Sequence, residues 1–148
     1  MQLVKSYGKM MVSESKKRIA LDTSPEILDY YHWFLERKFW IKLQKPLHGS
    51  HITIYSSAFH SNINWKKASY YDKEALYFDY DVNVVQGGYI KGFIMFYLKV
   101  YSKELDDFKR DVGIVENSAY RGAHLTLGQA GKSGSHVQTW WPKMITVK

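Results

Sequence analysis

The chain has no cysteine among its 148 residues. That excludes disulfides and thiolate metal ligands. It has 3 prolines and no low-complexity tract or linker, so a single domain spanning 1–148 is expected, long enough for a workable core. No apolar run approaches the ~18 residues that a membrane helix needs. The N-terminal MQLVKSYGKMM lacks the apolar stretch of a secretory signal. These absences point to a cytoplasmic protein with no membrane association, and nothing in the chain calls for a stable protein partner. Acidic residues are also scarce, 14 against 21 Lys and Arg, for a net charge of +7.

What is present in excess fits the charge. Aromatic residues make up 16% of the chain, with 12 Tyr and 5 Trp. Positive charge draws phosphates, and exposed rings stack bases. Most such rings fill cores and most lysines are solvated, but the two biases together favour a nucleotide or nucleic-acid ligand.

Leu3–Tyr7 and Arg18–Asp22 have the pattern of short strands. Ser24-Pro25-Glu26 spells a helix start, with a capping serine, a proline at the first helical position and an acid in the first turn. Ile27, Leu28, Tyr31, Phe34 and Leu35 follow at helical spacing, and the helix is expected to reach Lys38. Leu76, Phe78, Tyr80 and Val82 alternate with polar or aromatic residues, as in a strand. Gln86-Gly87-Gly88 is expected to turn the chain into a hairpin partner over Tyr89–Val100. Ser102 caps a second amphipathic helix, which Gly113 stops. Residues 128–135 look like a glycine- and serine-rich loop, and Trp140-Trp141-Pro142 is expected to lead to a short terminal strand.

One pattern occurs twice: GSHITI, Gly49–Ile54, and GAHLTL, Gly122–Leu127. The copies are 124 − 51 = 73 residues apart. Given one copy, this composition would supply a second on the order of 6 times in 10,000 chains when template matches are counted. The aliphatic alternation places both on strands. His51 and Thr53 then share one face, as do His124 and Thr126, while Ile52, Ile54, Leu125 and Leu127 point into a core. A helix and a loop precede each copy, which suggests two similar halves.

Two imidazoles suit phosphodiester cleavage. One takes a proton from the attacking hydroxyl and the other gives one to the leaving oxygen. The threonine hydroxyls and nearby N–H groups would hold the non-bridging oxygens. Each glycine would leave room for substrate or permit a bend at the strand entrance.

Paired His-x-Thr motifs on strands, tens of residues apart, resemble those of the 2H phosphoesterase superfamily. The match rests on His51-Ile52-Thr53-Ile54 and His124-Leu125-Thr126-Leu127, and the expected order of elements agrees over most of the chain. The resemblance implies an α+β fold of two lobes with pseudo-twofold symmetry. Antiparallel sheets would flank a central cleft, with helices outside. Within the superfamily, LVKSYG and LDTSPEILDYY ahead of HGSHITIYSS look like the anti-CBASS nucleases of T4-like tailed phages. That branch cleaves the cyclic di- and trinucleotide signals of bacterial defence systems. The resemblance implies a 3′,5′-linked cyclic oligonucleotide substrate, attack by the ribose 2′-OH, and action in the cytoplasm of a bacterial host. The alternatives are an RNA 2′,3′-cyclic phosphodiesterase and a non-catalytic nucleotide- or RNA-binding module.

Other constellations are weaker. Gly131-Lys132-Ser133 resembles the end of a P-loop, but position 126, where that motif needs glycine, is Thr126. Lys132 is kept as a candidate phosphate contact. His48 and His51 are three apart, yet no Cys or HExxH helix completes a zinc set, so no metal or other cofactor is expected. His32, His60 and His136 belong to no partner pattern. The candidate base contacts are aromatic residues beside loops: Tyr7, Tyr55, Trp65, Tyr70, Trp140 and Trp141. Tyr55 leads them because strict alternation would place it on the face of His51 and Thr53.

Overall fold

The computed structural model describes residues 1–57, 62–90, 93–115, 122–131 and 146–147. The expected sites Lys132, Trp140 and Trp141, and also His60 and His136, lie outside the described residues. The first strand, β1 (Leu3–Ser13), runs beyond the expected Tyr7 and forms a hairpin with β2 (Arg18–Thr23). Helix α1 (Pro25–Phe39) starts where its signals predict. Ser24 accepts a hydrogen bond from the Glu26 N–H, and Trp40 closes the helix in the left-handed conformation. Then follow β3 (His51–Ser56), a short helix α2 (Trp65–Ser69) that the apolar spacing does not announce, and β4 (Ala75–Asp81).

The turn expected at Gln86–Gly88 lies elsewhere. Strand β5 (Val84–Ile90) passes through both glycines, and its register with β6 (Phe93–Tyr101) shifts between Gly87 and Tyr89. Glycine lacks the side chain that would resist such a bulge. The chain instead bends at Val82-Asn83, where the Asp81 carboxylate accepts from the Asn83 backbone and side-chain amides, an Asx turn. Helix α3 (Lys103–Val112) begins at Ser102 and ends at Gly113 (φ 82°), as expected. Strand β7 (His124–Gly131) occupies the start of the expected glycine-rich loop, and β8 (Thr146–Val147) is the last described element.

The protein is a mixed α+β structure built on one antiparallel sheet, ordered β4-β1-β2-β3-β7-β6-β5-β8. A further pairing of β4 with β6, Asp79↔Tyr101 and Tyr80↔Val100, bends it toward a barrel. Read outward from the β3–β7 seam, each side places a motif strand first. Next comes the second strand of the hairpin that precedes it in sequence, β2 or β6, and then that hairpin's first strand, β1 or β5. One helix, α1 or α3, lies between hairpin and motif strand in each run.

Ile52, Ile54, Leu125 and Leu127 are all 0% exposed. Burying each contributes about 1.5–3 kcal/mol. A one-residue slip would turn all four outward, so the facing of the motif is locked by its own aliphatic residues. Among the described residues, no helix is long and apolar enough to cross a membrane.

Candidate active site

Strands β3 and β7 pair antiparallel at Ile52↔Leu125. Continued one residue each way, that register sets His51 beside Thr126 and Thr53 beside His124. The two histidines are then diagonal neighbours, at about 7–8 Å for an antiparallel pair. Both His-x-Thr pairs are half-buried on one face, with the buried aliphatics behind them. The structure thus brings all four residues singled out by the motif into one patch.

The two copies match in detail beyond their letters. The His51 Nδ1–H donates to the Gly49 carbonyl at 2.8 Å, and the His124 Nδ1–H to the Gly122 carbonyl at 2.9 Å. A carbonyl only accepts, so the proton sits on Nδ1 and each neutral ring keeps its lone pair on Nε2. Gly49 and Gly122 take φ of 72° and 85°, which carries the carbonyl back toward the ring two residues on. A Cβ at either glycine would meet nothing within 4 Å. Backbone conformation, rather than crowding by the protein, is what requires glycine here. The imidazoles are therefore oriented by main-chain carbonyls.

A substitution series separates conformation from space. Gly49→Ala and Gly122→Ala are each expected to cost roughly 1–2 kcal/mol, the penalty for an L-residue in this region, and Asn less. Denaturant unfolding of the variants checks it. Alanine variants as stable as the parent would contradict this account.

The third shared detail is a bulge. Between β2 and β3 the pairing passes from Ala20↔Thr53 to Ile19↔Tyr55, leaving Ile54 as the extra residue. Between β6 and β7 it passes from Tyr97↔Thr126 to Phe96↔Gly128, leaving Leu127. The offset, 127 − 54 = 73, equals that of the histidines. The bulge corrects the expectation for Tyr55. Two successive residues turn inward, and Tyr55 is 4% exposed, packed edge-on against Trp65 at 5.3 Å. It belongs to the core and is absent from the face of His51 and Thr53. Its counterpart is Gly128, where a Cβ would fall 2.6 Å from the Gln44 carbonyl oxygen. Buried His32 donates to the carbonyl of the bulged Leu127, which settles that histidine as structural.

The other expected contacts divide. Tyr7 is 63% exposed. It lies on the His51 face, since Lys9, two residues on, pairs with Asp22, which pairs with His51. Trp65 starts α2 and is half-buried beneath the Lys17 ammonium. Tyr70 is exposed at the end of α2. His48 stands edge-on to His51 at 5.9 Å. Among the described residues, no three His, Asp or Glu side chains gather as a metal set.

Three features of this face escaped the sequence. The Tyr97 ring meets the His124 imidazole edge-on at 5.3 Å. A cavity of about 470 Å³ opens beside Thr126, bounded by Gln44, Lys45, Leu47, Met95 and Gln129. Arg18 shares the His51 face through β2, and its Nη2 is buried without a hydrogen-bond partner. A slightly larger cavity, about 490 Å³, is lined by Tyr30, Tyr31, Phe34 and Tyr80 and touches none of the four motif residues; its size alone gives it no chemistry.

The electrostatics favour a neutral imidazole at His51. Burial, foremost, with the Arg18 and His48 charges, pushes it below the ordinary histidine range, while the Gly49 carbonyl and Asp22 pull the other way. With its lone pair on Nε2, a neutral His51 is fit to accept a proton near neutrality. The ladder gives His51 and His124 different neighbours, Asp22 and Lys99 respectively. No family model, curated protein or solved structure matches the chain.

Proposed function

We propose that the protein is a metal-independent phosphodiesterase of the two-histidine kind, with the two-lobed, pseudo-twofold architecture of the 2H phosphoesterases, and that its substrate is a 3′,5′-linked cyclic oligonucleotide. The observation that carries the reading is the matched pair of half-sites. Two His-x-Thr strands meet antiparallel, each imidazole held by a left-handed glycine two residues before it. Chance similarity of six letters does not call for the same hydrogen bond, the same φ and the same bulge.

In the proposed reaction one imidazole takes the proton of the ribose 2′-OH through Nε2. The 2′ oxygen attacks the adjacent phosphorus. The P–O5′ bond breaks, and the other imidazole, entering protonated, donates to the departing 5′ oxygen. The products are a 2′,3′-cyclic phosphate and a free 5′-OH, and the two imidazoles have exchanged protonation states. Thr53 and Thr126, each placed across from the other motif's histidine, would donate to the non-bridging oxygens as charge builds there. The cavity beside Thr126 has room for a base.

Cyclic dinucleotides, their 2′-deoxy counterparts and an RNA oligonucleotide ending in a 2′,3′-cyclic phosphate, each incubated in EDTA, test the proposal. The ribose cyclic dinucleotide should be opened and the deoxy compound bound but left intact. Cleavage of the deoxy ring would sink 2′-OH attack. Turnover of the RNA end alone would make the protein an RNA 2′,3′-cyclic phosphodiesterase, with water as the nucleophile. Binding without turnover of any of them would leave a recognition module.

A further inference from the structure

We propose that Arg18 holds a second phosphate of the substrate, distinct from the one at which the histidines act. The proposal rests on the phosphodiesterase reading for its substrate and on independent geometry for its residue. Arg18 lies on β2, on the same face as His51 and Thr53. Asp22, the partner of His51, is 22 − 18 = 4 residues along β2 from Arg18, about 13 Å of strand at ~3.3 Å per residue. A side chain rooted there stands to one side of the space between the two imidazoles. It is nevertheless near enough for its charge to bear on His51.

Among the described residues, Arg18 Nη2 is the one buried side-chain nitrogen or oxygen without a hydrogen-bond partner. Buried donors are nearly always satisfied, and an exception asks for an explanation. A guanidinium presents a planar fork that matches phosphate oxygens. The other half of the sheet has no equivalent. In the matched register, where Arg18 precedes Ala20 by two, Met95 precedes Tyr97 by two, and Met95 lines the cavity beside Thr126. The two flanks of the histidine patch therefore differ in kind. One carries a cation with an unused donor, and the other a hollow of apolar and amide side chains whose cation, Lys45, is paired with Asp29 at 3.5 Å. A substrate fitting both has an anionic group beyond the scissile phosphate on one side and a base on the other, as a cyclic dinucleotide has and a nucleoside monophosphate has not.

The test uses ligands that 2′-OH attack cannot consume. A 2′-deoxy cyclic dinucleotide carries two phosphodiesters. The linear deoxydinucleoside monophosphate of the same bases carries one. Calorimetric titration of the parent protein, Arg18→Gln and Arg18→Lys measures both affinities, with thermal unfolding to confirm that each variant is folded. Arg18→Gln should weaken binding of the cyclic ligand about tenfold and leave the one-phosphate ligand within about twofold, the scale of one lost charge-assisted contact. Arg18→Lys, which keeps the charge, should retain most of the affinity and serves as the probe if the glutamine variant does not fold: a lysine variant that loses the cyclic ligand as fully as it loses the linear one overturns the assignment. Equal weakening of both ligands would put Arg18 on the shared phosphate and also overturn it. Unchanged binding of both, or no binding of the cyclic ligand by the parent, would do the same. Failure of the parent to cleave a ribose cyclic dinucleotide, with the Arg18 dependence of binding intact, would sink the phosphodiesterase reading and leave this one standing.

Discussion

His51→Ala and His124→Ala should each lower kcat on a cyclic dinucleotide by about 10²–10⁴-fold, the range for losing a positioned general acid or base. Each should leave stability nearly unchanged. Both rings are half-buried on the outer side of strands whose aliphatic residues do the packing, so removing a ring leaves the core behind it intact. The double variant should be little worse than either single one, because the two imidazoles act on one proton-transfer path and such losses do not add. KM should move far less than kcat. Single-turnover kinetics on matched, folded samples measures this. Turnover that persists in both variants, or that appears only with divalent metal, would exclude the two-histidine mechanism.

Leu125→Ala should cost about 2–5 kcal/mol in denaturant unfolding, as large-to-small changes at fully buried sites do. The site is unusually exposed to damage for a topological reason. Leu125 is 0% exposed, and its pairing with Ile52 is the ladder contact that joins the two motif strands. A cavity there loosens the seam that sets one imidazole against the other, so turnover of the folded fraction should fall as well. A loss below about 1 kcal/mol would mean that the seam collapses around the smaller residue and that the core elsewhere holds the strands in place.

Much of the local structure was legible from local chemistry. Ser24 with Pro25, and Ser102 with Gly113, mark the helix ends because caps satisfy orphaned backbone groups a few residues away. The alternation in GSHITI and GAHLTL declared which side chains face inward, and their repetition declared the candidate site. The glycines were the least understood letters of the motif. Their meaning depended on φ, and on a carbonyl that had to meet a ring two residues on.

Tyr55 shows where such reading stops. Strict alternation puts it beside His51, and a bulge at Ile54 turns it into the core. A bulge arises from the pairing of two strands, and no letter of β3 states it. The same holds for Gln86-Gly87-Gly88, whose glycines suit a turn or a bulge equally well until the partner strand is known.

The amino-acid sequence alone determined the two long helices, the inward and outward faces of the motif strands, and the four candidate side chains of the site, because each depends on periodicity or on contacts a few residues long. The tertiary structure alone decided that β3 and β7 are neighbours, that both strands bulge at the same step, and that Arg18 and Tyr97 share the histidine face. Those facts depend on hydrogen bonds between residues as much as 73 apart, and the free energy that selects such pairings belongs to the whole sheet and its buried core.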